Sequence, residues 1–80
     1  MVRGYARRRP YKVYVDTGES VWSTNSLKFD TREQAEEYGS NLMSRWMLVR
    51  EYRAVQVPED FPEMHLTRDQ IEKLEMEEGS

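Results

Sequence analysis

Asp16-Thr17-Gly18 is the first place in this chain where residue type and spacing can do chemistry, because paired Asp-Thr-Gly carboxylates share a proton and activate water in aspartic proteases. The chain carries one such triplet, so a homodimer would have to bring the second aspartate. Glu19-Ser20, which follows, is polar where that family continues with small and apolar residues. The other reading is a hairpin turn, with Gly18 at positive φ and the Asp16 carboxylate capping the turn, and it is the one adopted. His65 is the sole histidine and lies in an acidic, proline-flanked segment; a single histidine makes neither a metal site nor a catalytic triad, so it reads as an exposed loop residue. Glu36-Glu37 and Glu77-Glu78 read as solvated helix faces, since neither has the ligand pattern of a calcium loop. The chain has no glycine-rich phosphate loop and no cysteine, which removes thiolate zinc sites and a disulfide framework. The expectation is a protein that is not an enzyme and uses no cofactor or metal.

Binding features are stronger. Arg7, Arg8 and Arg9 stand between Tyr5 and Tyr11, with Lys12 beyond, a composition like that of arginine arms that reach phosphates and stack on bases. Net charge is −3 but unevenly laid out. Residues 1–12 hold five basic residues and no acid, 13–57 hold seven acids against five bases, and 58–80 hold eight acids against two bases. The chain is thus an electrostatic dipole in sequence, and everything after residue 12 would repel a nucleic acid. A second feature is the content of aromatic residues and arginine, the types that dominate protein–protein hot spots: Tyr14, Trp22, Tyr38, Trp46, Tyr52, Arg45, Arg50 and Arg53. Trp46 and Tyr38 fall on a helical stripe and read as core. Met43 and Met47, one turn apart, either widen that core or form an exposed adaptable patch.

The elements that must position these residues follow from periodicity. Tyr11, Val13 and Val15 alternate with Lys12 and Tyr14, the period of a half-buried strand. After the turn a second strand starts at Val21-Trp22, pauses at Thr24-Asn25-Ser26 as a bulge or short loop, and resumes as Leu27-Lys28-Phe29. Asp30 is placed to cap a helix with Glu33 completing a capping box, and Ala35, Tyr38, Gly39, Leu42, Trp46 and Val49 recur at spacings of three and four. Gly39 in that stripe costs up to about 1 kcal/mol against alanine, so a packing reason is expected. Residues 49–57 read as a third strand ended by Pro58, with either face a candidate for burial. Residues 58–65 carry two prolines and three acids and read as a linker or a pinned surface strap. A last short helix begins at Thr67, with Gln70 as capping partner, Leu66 stapling to Ile71, and only Ile71 and Leu74 as its apolar face.

These elements predict an α+β fold: a three-stranded antiparallel sheet with one helix packed on one face, in the order β-β-α-β, plus a short C-terminal helix. Residues 1–10 form a basic arm, 11–57 the core domain, and 58–80 an acidic linker and helix. The other sheet face is expected to stay open and to present Tyr14, Trp22 and Tyr52. At 80 residues the chain makes one domain, which buries about 60% of its unfolded surface. Hydrophobic residues at 38% and charged residues at 34% place it among soluble globular chains, and no apolar run is long enough for a membrane span or a signal peptide. A cytoplasmic location is expected.

The stretch 22–57, with Trp22-Ser23-Thr24-Asn25-Ser26-Leu27-Lys28-Phe29-Asp30-Thr31-Arg32-Glu33-Gln34-Ala35, then Leu42 to Arg45-Trp46 and Tyr52-Arg53-Ala54-Val55, resembles small uncharacterised bacteriophage-encoded proteins. That family has no assigned activity, so the resemblance carries over no functional residues. It implies a phage or mobile-element origin, with a location in the host cytoplasm if phage-encoded, where small proteins of this size often bind and inhibit a host machine. The expected function is that of a non-enzymatic accessory protein bound to a protein partner, with Tyr14, Trp22, Tyr52, Glu72, Glu75 and Glu78 as contacts and the acidic tail imitating phosphates before a nucleic-acid-processing or defence complex. One alternative is a nucleic-acid-binding module led by Arg7, Arg8, Arg9 and Lys12. Another is a self-associating structural or virion component that sets one chain's basic arm on the next chain's acidic tail.

Overall fold

The alternation at residues 11–15 does form a strand, β1 (Tyr11–Asp16), yet its four central residues are all buried rather than every second one. Both of its faces are covered. The computed structural model describes residues 9–78, with side chains through Glu77, and in it β1 is followed by β2 (Val21–Trp22), α1 (Arg32–Arg45), β3 (Glu51–Gln56), β4 (Leu66–Thr67) and α2 (Arg68–Glu78). Over the described residues the fold is α+β, with two helices and two two-stranded antiparallel sheets, β1-β3 and β2-β4.

The β1-β3 pair is the centre, with Val13 opposite Ala54 and Val15 opposite Tyr52. On one side Val13, Val15, Ala35, Val49 and Ala54 form a buried cluster against α1, with Tyr11, Phe29, Tyr38, Leu42 and Tyr52 packed around it. On the other side Tyr14 joins Trp22, Val55, Val57, Leu66 and Ile71, with Phe61 and Leu74 packed against them. The face expected to stay open is therefore closed by α2 and β4. The reason is visible in the sequence: β3 and the residue just after it carry apolar side chains on both sides, Ala54 on one and Val55 and Val57 on the other, which is the mark of a segment covered twice.

In place of a single three-stranded sheet, the segment after the turn meets β1 only at two isolated bridges, Val15 to Ser23 and Tyr11 to Phe29. Between these bridges that segment advances six residues while β1 advances four, so two extra residues bulge out around 24–28. Within the bulge Thr24 Oγ1 donates to the Val13 carbonyl at 3.0 Å, Asn25 Oδ1 accepts from Leu27 N at 2.9 Å, and Asn25 Nδ2 donates to Tyr38 Oη at 2.9 Å. β2 turns instead toward β4, with Trp22 opposite Leu66.

Helix α1 is capped one residue later than the sequence suggests. Thr31 Oγ1 accepts from Gln34 N at 3.1 Å, and Gln34 Oε1 accepts from Asp30 N at 3.2 Å. The helix also stops at Arg45, because Trp46 leaves helical geometry at φ −115° and ψ 103° while its N–H still reaches the Leu42 carbonyl at 2.8 Å. Gly39 has the packing reason it needs: a Cβ there would stand 2.4 Å from Tyr52 Cδ1. Helix α2 has the expected box, Gln70 N donating to Thr67 Oγ1 at 3.3 Å and Thr67 N to Gln70 Oε1 at 2.8 Å. Residues 58–65 are the pinned strap: Lys28 Nζ donates to the Glu59 carbonyl at 3.0 Å and Phe61 reaches the second core.

Two outcomes follow from this packing. Gly39→Ala should lower stability by about 1–2 kcal/mol in a denaturant melt, because overpacking against Tyr52 outweighs the gain in helix propensity. Tyr14 Oη is buried with no hydrogen-bond partner among the described residues, and burial pushes its pKa up to about 12. Unfolded tyrosine titrates near 10, so the raised value leaves stability unaffected below about pH 10 and draws it down as pH climbs toward 12. Tyr14→Phe should be at least as stable as the native chain at neutral pH and should lose that part of the alkaline decline, measured by unfolding at a series of pH values.

Candidate protein-binding surface

The residues expected to touch a partner are mostly committed inside the molecule. Tyr14 and Trp22 are buried, for the reason given: α2 covers their face. Tyr52 is half-buried, its ring lying against Gly39 on the α1 side. Lys12, expected on phosphate, is fully buried and donates from Nζ to the Asn25 carbonyl. Burial lowers its pKa, Glu63 opposes that and Lys28 adds to it. Arg7 and Arg8 lie outside the described residues; Arg9 is exposed and its carbonyl accepts from Gln56 Nε2 at 3.0 Å. His65 is exposed, and Asp16-Thr17-Gly18 is a turn in which Asp16 Oδ1 accepts from Gly18 N at 2.8 Å and Gly18 takes φ 96°.

The acidic candidates on α2 belong to a clamp around Trp22. Glu75 Oε1 accepts from Arg53 Nη1 at 2.7 Å, and Arg53 Nη2 also lies 3.3 Å from Glu51 Oε2. Arg68 lies 3.5 Å from Glu72 and 4.0 Å from Glu51. The Arg53 and Arg68 guanidinium carbons stand 5.8 and 5.9 Å from the centre of the Trp22 ring, within the range of a cation–π contact. Burial pulls the Arg53 pKa down, but the charge of Glu75 and the hydrogen bond and charge of Glu51 outweigh it and hold the guanidinium above its ordinary value. Arg53 is thus charged at every physiological pH. Glu78 closes α2, and its side chain lies outside the described residues.

What the molecule does present is the end of α1. Met43, Trp46, Met47 and Leu48 are 44%, 42%, 96% and 62% exposed. Leu42, one residue before, turns into the first core, and Val49, one after, is buried in it, so the ridge is held between two anchored residues. Val49 N also donates to the Trp46 carbonyl at 3.1 Å, closing the turn. Beside the ridge lies a hollow of about 160 Å³ walled by Trp46, Leu42, Val13, Val15 and Asn25. Exposed Arg45 and Arg50 stand in the same segment, and the Arg50 guanidinium lies over Gly18. Trp, Met and Arg around an apolar centre are the composition of an interface core, not of ordinary surface.

The sequence pointed to part of this surface through the Met43 and Met47 spacing. It placed Trp46 in the core, because the helical stripe was extended past Arg45, and it passed over Leu48. The run Trp46-Met47-Leu48 at a helix end was the available signal: three consecutive large apolar residues cannot all face one core. Among the described residues no helix is long and apolar enough to cross a membrane, and no group of three metal-binding side chains is found. No family model matches the chain, and no curated protein or solved structure does.

Replacing Glu75 by Gln should cost about 1 kcal/mol of stability at low ionic strength and less at high salt, because it breaks a half-buried charge-assisted bond that ties α2 to β3. A urea melt of native and variant chains at two salt concentrations reads it.

Proposed function

We propose that the chain is a non-enzymatic binding protein, and that it takes hold of another protein with the ridge at residues 43–48. The observation that carries this is the exposure of Met47 and Leu48 between anchored neighbours. Each side chain left in water forgoes about 1.5–3 kcal/mol available on burial. A surface that holds Met47 and Leu48 out, with Met43 and Trp46 partly exposed beside them and two arginines alongside, suits an apolar groove on a partner. Methionine lets the ridge adapt to the shape of the groove.

A host complex as the partner is the more specific version, and it draws on the resemblance to phage proteins. The acid-rich α2 supports imitation of nucleic acid less directly, since Glu72 and Glu75 already pair with Arg68 and Arg53. The ridge is thus the main grip.

The test uses a double variant, Met47→Gln with Leu48→Gln. Both side chains are exposed, so its melting should match the native chain. In quantitative affinity capture from cell extract it should lose at least tenfold of its specific partners, consistent with hot-spot losses of about 2 kcal/mol or more. Capture of the same proteins at native levels by a folded double variant would overturn the reading.

A further inference from the structure

Among the described residues β3 is the last strand of the β1-β3 sheet, with no strand beyond it. Which of its backbone groups face outward follows from β1. Tyr11 and Val15 bond through N–H and C=O to Phe29 and Ser23, on the side away from β3. Alternation then turns Lys12 and Tyr14 toward β3, where the register places Val55 and Arg53 opposite them. Tyr52 and Ala54 therefore point their backbone groups away from β1. Arg32 Nη1 donates to the Ala54 carbonyl at 3.4 Å. The Tyr52 N–H, the Tyr52 carbonyl and the Ala54 N–H have no partner among the described residues. Arg50 gives its N–H to the Asp16 carbonyl at 2.7 Å, and its own carbonyl has no partner among the described residues. A strand edge with such free groups is a template for strand addition.

We propose that this edge pairs antiparallel with β3 of a second copy of the chain, about a two-fold axis at Tyr52, to make one continuous four-stranded sheet. In that register the two Tyr52 residues exchange both backbone bonds, and each Ala54 N–H donates to the Arg50 carbonyl of the other copy. Every free group named above is used. The two groups left over, the Ala54 carbonyl and the Arg50 N–H, are those already bonded within the chain. Charge fits the same register: Glu51 of each copy stands opposite Arg53 of the other, a favourable cross-strand pair made twice. A two-fold axis at Arg53 would set the two guanidinium groups opposite each other, and an axis at Ala54 would require its carbonyl to leave Arg32. The surface at residues 43–48 plays no part in the pairing, so the two proposals stand separately.

Sedimentation equilibrium and amide hydrogen exchange on the full chain, at micromolar and millimolar concentration, test it. A dimer should appear, and protection of the Tyr52 and Ala54 amides should rise with the dimer fraction, while the Arg53 and Val55 amides, bonded to β1, stay protected throughout. Glu51→Lys sets two like charges across the axis and should weaken the dimer about tenfold. A chain that stays monomeric, or a dimer whose Tyr52 and Ala54 amides exchange as fast as in the monomer, overturns the proposal. A Glu51→Lys dimer as tight as the native one overturns its register.

Discussion

Burial of both faces of a two-stranded sheet is the constraint on which the rest of this molecule depends. Two strands alone are marginal in water, and 80 residues leave little apolar surface to spend. The β1-β3 pair is stable because α1 covers Val13, Val15 and Ala54 while α2 and β4 cover Tyr14, Val55 and Val57. The second cover is the more demanding. α2 offers Ile71 and Leu74 as its apolar face, and it is held in addition by the Arg53–Glu75 pair and by the contact of Arg68 with the Trp22 ring. Polar contacts here complete what hydrophobic area begins.

That arrangement also decides which residues are left for a partner. Aromatic side chains suited to hot spots are drawn inward, Tyr14 and Trp22 wholly and Tyr52 in part. The ridge at 43–48 stays out because α1 ends at Arg45 and the chain must return to the sheet at Val49. Three residues bridge that gap, Trp46 lying against the edge of the core while Met47 and Leu48 are left outside it. The basic arm falls mainly on residues outside the description, while Lys12 is enclosed and bonded to Asn25.

Local features were legible in the sequence wherever one short-range interaction decides the outcome. The turn at Asp16-Thr17-Gly18, the Thr67 and Gln70 box, and a packing role for Gly39 are all of this kind. The cap of α1 moved by one because Thr31 and Gln34 offer the same chemistry as Asp30 and Glu33 in the next frame. Misreadings came from long-range effects. The pattern of two strands and a helix leaves one sheet face open, and only the return of the last helix across that face, which no local pattern encodes, closes it. Trp46 was assigned to the core because periodicity does not say where a helix stops. Trp22, expected on an open face, is buried by partners, Leu66, Arg53 and Arg68, that lie 31 or more residues away in sequence, where short-range patterns do not reach.

Tyr14 is among the earliest described residues of the core, whereas Leu66 and Ile71, which close over it, come more than fifty residues later. On a ribosome, synthesis runs from the N-terminus. β1, α1 and β3 can assemble before α2 has emerged, but one side of that intermediate is oily and unprotected. The nascent chain therefore passes through a sticky stage, with Tyr14, Trp22 and Val55 bare, that lasts until α2 has emerged and folded back over them. Truncation before Ile71 would make this transient permanent.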